Sequence, residues 1–319
     1  MGVTRFPAPQ RAGRCTKGLD TMDITLHVGA HRTASTSFQY YLRHNADGLK
    51  DRGIGVWEPH RTRDGLLTGV IPVPGRRGAA EQLRRARGRI AMTLRLSQAK
   101  GIERLLVSDE NMLGSARRNL RAGALYPDAG LRLARFHEAF GGHVGRVVLS
   151  IRSQDSYWAS AMAFAVARGH RVPGMRERAS LVANPRGWRD VIAEIACALP
   201  GAEIIVLPHE TFAGRPARRL TEMMRVDDPP RGHGEARLNR APSLGALRKA
   251  LEMRGGDPAR LGEGADDARW WPFDDSGIAR LREAYADDLF WLRAGADGLA
   301  TLIEETGPVK AGIHPPPGQ

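Results

Sequence analysis

The densest chemistry in the sequence lies in LHVGAHRTASTSFQYYL, residues 26 to 42. An apolar run ends at Gly29. A basic pair follows at His31 and Arg32, and then Thr33, Ser35, Thr36 and Ser37 crowd around Ala34. Hydroxyls, a guanidinium and a glycine that lets the backbone come close to a ligand make a donor set for an anion with several oxygens. A helix beginning near Ser35 would add its unpaired first-turn N–H groups and the positive end of its dipole. The stretch therefore reads as a cradle for phosphate or sulfate. Two other places offer matching chemistry. VVLSIRSQDSYWAS puts Arg152 at the end of an apolar run and Ser160 eight residues later, and SDEN (108–111) offers Asp109 and Glu110 as proton acceptors.

These residues need a frame to bring them together. DITLHV (23–28) alternates as a strand, and residues 35–53 follow as a helix with Phe38, Leu42 and Leu49 on one face. Further strands are expected at 54–57, 103–111, 146–152 and 202–210, with a loop over 60–78. Helices are expected at 79–101, with Leu83, Ile90, Leu94 and Leu96 inward, and at 131–142, 155–169 and 187–201. Alternation of this kind predicts an α/β fold, a doubly wound parallel sheet with flanking helices. Beyond residue 226 the chain changes to loop and then to helices at 244–254 and 276–295, a helical C-terminal extension. The expected organisation is a disordered basic leader over 1–21, an α/β domain over 22–225, its helical part over 226–307, and a disordered tail over 308–319. Ligands of such sheets sit beyond the carboxyl ends of the strands, where the Gly29–Ser37 turn, Glu110 and Arg152 all fall.

Against the triphosphate-binding pattern GxxxxGK[ST], Gly29 aligns with the first glycine. Ala34 and Ser35 then replace the second glycine and the lysine, and only Thr36 fits. The stretch instead resembles the 5′-phosphosulfate loop of sulfotransferases that use 3′-phosphoadenosine 5′-phosphosulfate (PAPS). Bacterial members carry a strand followed by a sequence like HxGxHKTGTTSxQ. HVGAHRTASTSFQ matches it at His27, Gly29, His31, Thr33, Thr36, Ser37 and Gln39, and departs at Arg32, Ala34 and Ser35. The alanine is compatible with such a loop if its backbone needs no positive φ there. Arg152 and Ser160 match the family's 3′-phosphate pair, an arginine ending a central strand and a serine in the next helix.

The resemblance covers about residues 23 to 212. It implies a P-loop-like sheet, PAPS as cosubstrate, no metal, and sulfuryl transfer to a hydroxyl acceptor, a carbohydrate or glycolipid at family level. Gly29, Arg32, Thr33, Ala34, Ser35, Thr36, Ser37, Arg152 and Ser160 would then hold the cofactor. Arg32 would stabilise charge on the leaving oxygen, His31 would touch the sulfuryl group, and Glu110, or Asp109 in its place, would be the general base. His27 fits a ligand role or a packed core histidine, while His137 and His143 read as structural. Trp270 and Trp271 read as packing between helices and sheet.

The bulk composition bounds the alternatives. The net charge is +13, but only Lys17, Lys50, Lys100, Lys249 and Lys310 among 48 basic residues are lysine. Arginine favours bidentate contacts to phosphate and sulfate, so anionic ligands are favoured. The rival readings are a nucleotide kinase or NTPase, a polyanion or nucleic-acid binder using the arginines of 76–104, and, given the departures at Arg32 and Ala34, a sulfotransferase fold that binds but no longer catalyses. Cys15 and Cys197 suggest neither a disulfide framework nor a zinc site. No apolar run reaches membrane-spanning length and the first residues lack a signal-peptide core, so a cytoplasmic location is expected.

Overall fold

The computed structural model describes residues 22–304 apart from 77 and 184. The leader and tail expected at 1–21 and 308–319 lie outside these residues.

The chain alternates strand and helix from its first described residues. β1 (Asp23–His27) leads to α1 (Ser35–His44), α2 (Ala46–Lys50), β2 (Ile54–Trp57), α3 (Pro59–Arg61) and α4 (Ala79–Ala99). β3 (Arg104–Ser108) is followed by α5 (Ala116–Ala122) and α6 (Ala129–Ala139). β4 (Val144–Ile151) is followed by α7 (Gln154–Ala167), α8 (Met175–Ala183) and α9 (Trp188–Ala198). β5 (Glu203–Pro208), α10 (His209–Phe212), α11 (Pro216–Met224), α12 (Leu244–Glu252), α13 (Asp275–Arg293) and β6 (Thr301–Leu302) complete it.

The six strands form one all-parallel sheet in the order β2-β3-β1-β4-β5-β6. Both faces are covered, and the two-residue period of the strands sorts their side chains between them. Leu105, Val107, Val147, Leu149, Ile204 and Val206 join a core built with α4, α6, α7, α9, α12 and α13. Leu106, Val148, Ile205 and Leu207 face a second core under α1, α2 and α11, with Phe38, Tyr41, Leu42, Leu49, Leu220 and Met223. From β1 the chain leaves toward the β2 edge, and from β4 toward the β5 edge. The crevice between β1 and β4 is thus the point where the winding reverses, the usual ligand position in open α/β sheets.

The departures from expectation are local. The single helix over 35–53 divides at Asn45, whose amide donates to Tyr41 O at 2.8 Å. The loop over 60–78 begins as helix, with Pro59 in the first turn and the Glu58 carboxylate accepting from His60 N. It continues as a wide turn over Thr62–Leu66. On α4, Leu83, Ile90 and Leu94 are buried, but Leu96 is 55 % exposed, and Ala86 and Ser97 complete the inward stripe. α5, α8 and α11 were not expected. α5 nevertheless has ordinary boundary signals, Ser115 accepting from Arg118 N and Gly123 at φ 66. Trp270 is buried as expected for packing, while Trp271 is 39 % exposed with the Arg269 guanidinium over its ring.

Candidate functional site

Strand pairing runs past the end of β1. Val28 N, Ala30 N and Gly29 O all bond the backbone of β4, at Val148 and Ser150. This ties the Gly29–Ser37 loop to β4 and brings it beside Arg152, which donates to Arg32 O at 2.7 Å. The loop is tightly wound. Gly29 has φ 107, and Arg32 and Ala34 both sit near φ 63. The requirement that alanine replace glycine without a positive φ is therefore not met: Ala34 adopts the left-handed region, at about 1–2 kcal/mol of strain. Ala34 also precedes α1 without a side-chain cap, so the first-turn N–H groups of Ser35, Thr36 and Ser37 have no intrahelical acceptor.

A polar layer inside the α1/α11 core supports the loop from behind. His27 Nδ1 meets Ser108 Oγ at 2.7 Å, and Arg219 from α11 bonds Ser150 Oγ, His27 Nε2 and, at 3.2 Å, Thr33 O. Burial lowers Arg219 to about 10, and burial with Arg219 holds His27 well below its ordinary value. His27 is thus a neutral core residue. Its T-shaped contact with Phe38 belongs to packing.

Two cavities open above the sheet. The first, about 760 Å³, is lined by Arg32, Ala34, Ser35, Thr36, Ser37, Arg152 and Ser160, seven of the nine residues expected to hold a cofactor. Gly29 and Thr33 lie outside it. A Cβ on Gly29 would stand 2.9 Å from Glu110 Cβ, so this glycine permits the loop to pass the β3 terminus. The Thr33 hydroxyl is spent on Ala30 O at 2.7 Å, which fixes the turn. Arg32 is directed across the cavity. Its Nε donates to Ser160 Oγ at 2.9 Å, its NH2 to Asn239 O at 2.9 Å, and its guanidinium lies 4.5 Å from the Phe164 ring centre.

The same cavity contains residues the sequence did not single out: His209, Arg237, Asn239, Arg240 and Arg269. Arg32, Arg152, Arg237, Arg240 and Arg269 face a single carboxylate there, Asp267. Arg152 Nε, Arg269 Nε and His209 Nδ1 are buried without a hydrogen-bond partner. Burial lowers both Arg32 and Arg152 to about 10, neighbouring arginines adding to the shift, and burial with Arg152 takes His209 to about 3. Donors left unpaired at buried positions are costly, and an anion supplies what they lack.

The second cavity, about 650 Å³, is lined by His31 and Glu110. It meets the first at Thr36, Leu238 and Asn239. Segment 237–243 forms the partition, with Leu238 N donating to Ser37 Oγ and Asn239 Nδ2 to Thr36 Oγ1. Glu110 is held from both sides. Gln39 donates to its Oε2 at 2.8 Å, and Arg63 to its Oε1 at 3.0 Å while also gripping Asp109. Burial opposes the charge on Glu110, but His31, Arg63 and Gln39 outweigh it and hold the carboxyl below its ordinary range. Asp109 is buried by Arg63 and Thr62, which leaves Glu110 as the cavity-facing acid. His31 accepts or donates at Tyr126 Oη (2.9 Å), and its Nε2 faces the Asn111 amide at 3.2 Å. That amide satisfies both neighbours with its nitrogen toward His31 and its oxygen toward Arg63. Burial lowers His31, so the imidazole is neutral at pH 7. Arg63 and Tyr126 escaped the sequence reading because they reach the site from elements remote in the chain, whereas Asn111 stood next to Glu110 without a chemistry of its own to mark it.

The chain matches no protein-family model, no curated protein and no solved structure. His137 and His143 line neither cavity. The arginines of α4, Arg84, Arg85, Arg87, Arg89 and Arg95, line neither cavity as well. Among the described residues no helix is long and apolar enough to cross a membrane, and no group of His, Cys, Asp and Glu is placed to hold a metal ion.

Proposed function

We propose that the protein is a PAPS-dependent sulfotransferase with a P-loop-like nucleotide site, transferring a sulfuryl group to a hydroxyl acceptor. The observation that carries this reading is the pairing of cavities. An arginine-rich cavity holds the N-terminus of α1, Arg152 and Ser160, and it touches, at Thr36, a second cavity holding a carboxylate and a neutral imidazole. A donor with two anionic ends fits the first cavity, and a hydroxyl nucleophile fits the second.

In this mechanism the α1 N–H groups with Ser35, Thr36 and Ser37 hold the phosphosulfate, and Arg152 with Arg269 and His209 binds the distal phosphate. The acceptor hydroxyl gives its proton to Glu110 as its oxygen attacks sulfur. The bond from sulfur to the bridging oxygen breaks, and the electron pair leaves with 3′,5′-phosphoadenosine. Arg32 and the helix terminus offset the charge that grows on that oxygen. His31, neutral and beside Glu110, is the alternative acceptor for that proton.

Calorimetric titration with 3′,5′-phosphoadenosine, against ADP and ATP–Mg, tests the reading. Binding that requires the 3′-phosphate and is lost in Arg152→Ala is expected. Equal affinity for ADP, or preference for ATP–Mg, would replace the sulfotransferase reading with that of a nucleotide kinase or NTPase.

A further inference from the structure

The second cavity contains charge that proton transfer does not use. Four arginines line it: Arg43, Arg63, Arg117 and Arg168. Arg43 is paired with Glu58, and Arg63 with Asp109 and Glu110. Arg117 and Arg168 have no acidic partner among the described residues, and Glu110 is the only carboxylate in the lining. Arg168 lies over Phe164, its guanidinium carbon 3.4 Å from the ring centre, while Arg32 approaches the same ring from the first cavity. The stacking fixes Arg168 without neutralising it. Around the two free guanidinium groups the wall is apolar, formed by Leu120, Ala161, Phe164 and Ala165. Low-dielectric walls of this kind concentrate a positive field in the cleft.

The cleft also continues outward. A smaller cavity of about 240 Å³ shares Arg117, Leu120, Ala165 and His170 with it and adds Arg121 together with Arg171 and Glu177, which pair with each other. A groove therefore runs from His31 and Glu110, past Arg117 and Arg168, to Arg121.

Resting on the sulfotransferase reading, we infer that the acceptor is an acidic oligosaccharide: one sugar hydroxyl lies at Glu110, and a carboxylate or sulfate ester on an adjoining unit is bound by Arg117 and Arg168. Bidentate guanidinium contacts suit both anions. The apolar wall suits the faces of sugar rings, and the length of the groove suits more than one ring.

The test is calorimetry with a glucuronate-containing tetrasaccharide and the same tetrasaccharide after its carboxyls are reduced to alcohols, with 3′,5′-phosphoadenosine titrated separately. The acidic form is expected to bind at least about tenfold more tightly, the scale of one charge-assisted contact. The doubly substituted R117Q/R168Q protein is expected to lose that preference, and R117Q alone to reduce it while its affinity for 3′,5′-phosphoadenosine stays within about twofold. Equal binding of the two sugars, binding of neither, or a preference that survives the double substitution would overturn the inference. Failure of 3′,5′-phosphoadenosine alone to bind would remove the sulfotransferase reading and leave the anion subsite to stand or fall on the sugar comparison.

Discussion

The two cavities that meet at Thr36 are both rich in arginine, and the wall around Glu110 uses it in the opposite way to the first cavity. In the first, Arg152 and Arg269 each keep a buried Nε with no hydrogen-bond partner, and among the described residues neither forms an ion pair. In the second, beside Glu110, Arg63 is locked onto Asp109 and Glu110, and Arg43 onto Glu58. An arginine without a partner is a binding device, because its charge is satisfied only when a ligand arrives. An arginine already paired is a tuning device, because its charge sets the orientation and protonation of its partner. Similar side chains thus do different work according to whether the fold supplies an acid next to them.

This contrast can be broken at Glu110. Under the proposed sulfotransferase reading, Glu110→Gln is expected to lower sulfuryl transfer by roughly 10²–10⁴-fold, the usual range for a general base, and to leave 3′,5′-phosphoadenosine affinity nearly unchanged. Steady-state kinetics beside calorimetry checks it. Undiminished transfer would move the base to His31. Arg152→Ala acts on the other side: it should weaken 3′,5′-phosphoadenosine by about 10–100-fold, as expected for loss of contacts to a charged group. Stability in thermal unfolding should fall only by the scale of one neutral hydrogen bond, about 1 kcal/mol, since among the described residues this guanidinium donates to Arg32 O and forms no ion pair.

Gly29→Ala sharpens the comparison by striking the junction of the two regions. The new methyl would meet Glu110 Cβ at 2.9 Å on a backbone with φ 107. A loss of about 1–3 kcal/mol in denaturant unfolding is expected, together with impaired transfer. Ala34→Gly should by contrast be near neutral, because relief of left-handed strain offsets the added freedom of the unfolded chain. A marked loss of stability in Ala34→Gly would show that the methyl is needed for packing.

The smallest effect is expected from Arg63→Gln, read in the pH profile. Arg63 favours the charged form of Glu110. Removing it raises the folded-state pKa of that carboxyl. The base must be deprotonated, so activity falls as pH drops through this pKa. The acid limb of kcat/KM should therefore move to higher pH. An unmoved limb would show that another group governs it.

Much of this site was legible in the chain. The apolar alternation of β1, the hydroxyl-rich turn and the position of Arg152 at the end of β4 placed seven expected residues around one cavity, because strand ends in a parallel sheet share an edge. Hydrophobic periodicity likewise located five of the six strands, while β6 has only two residues, too few to leave a pattern. Leu96 failed because neighbouring positions on a long helix differ by about 100° in direction, so an apolar residue can fall just off the buried stripe.

What the sequence determined by itself was the order of elements and the local chemistry of each turn, since these depend on residues close together in the chain. Tertiary structure alone decided the pairings. Arg63 reaches Glu110 across 47 positions, and Tyr126 reaches His31 across 95. Arg219 supports Thr33 across 186. Local pattern carries no information about such contacts. They arise when the sheet brings distant segments to one edge, and that same step determines which arginines find an acid and which stay free to bind a ligand.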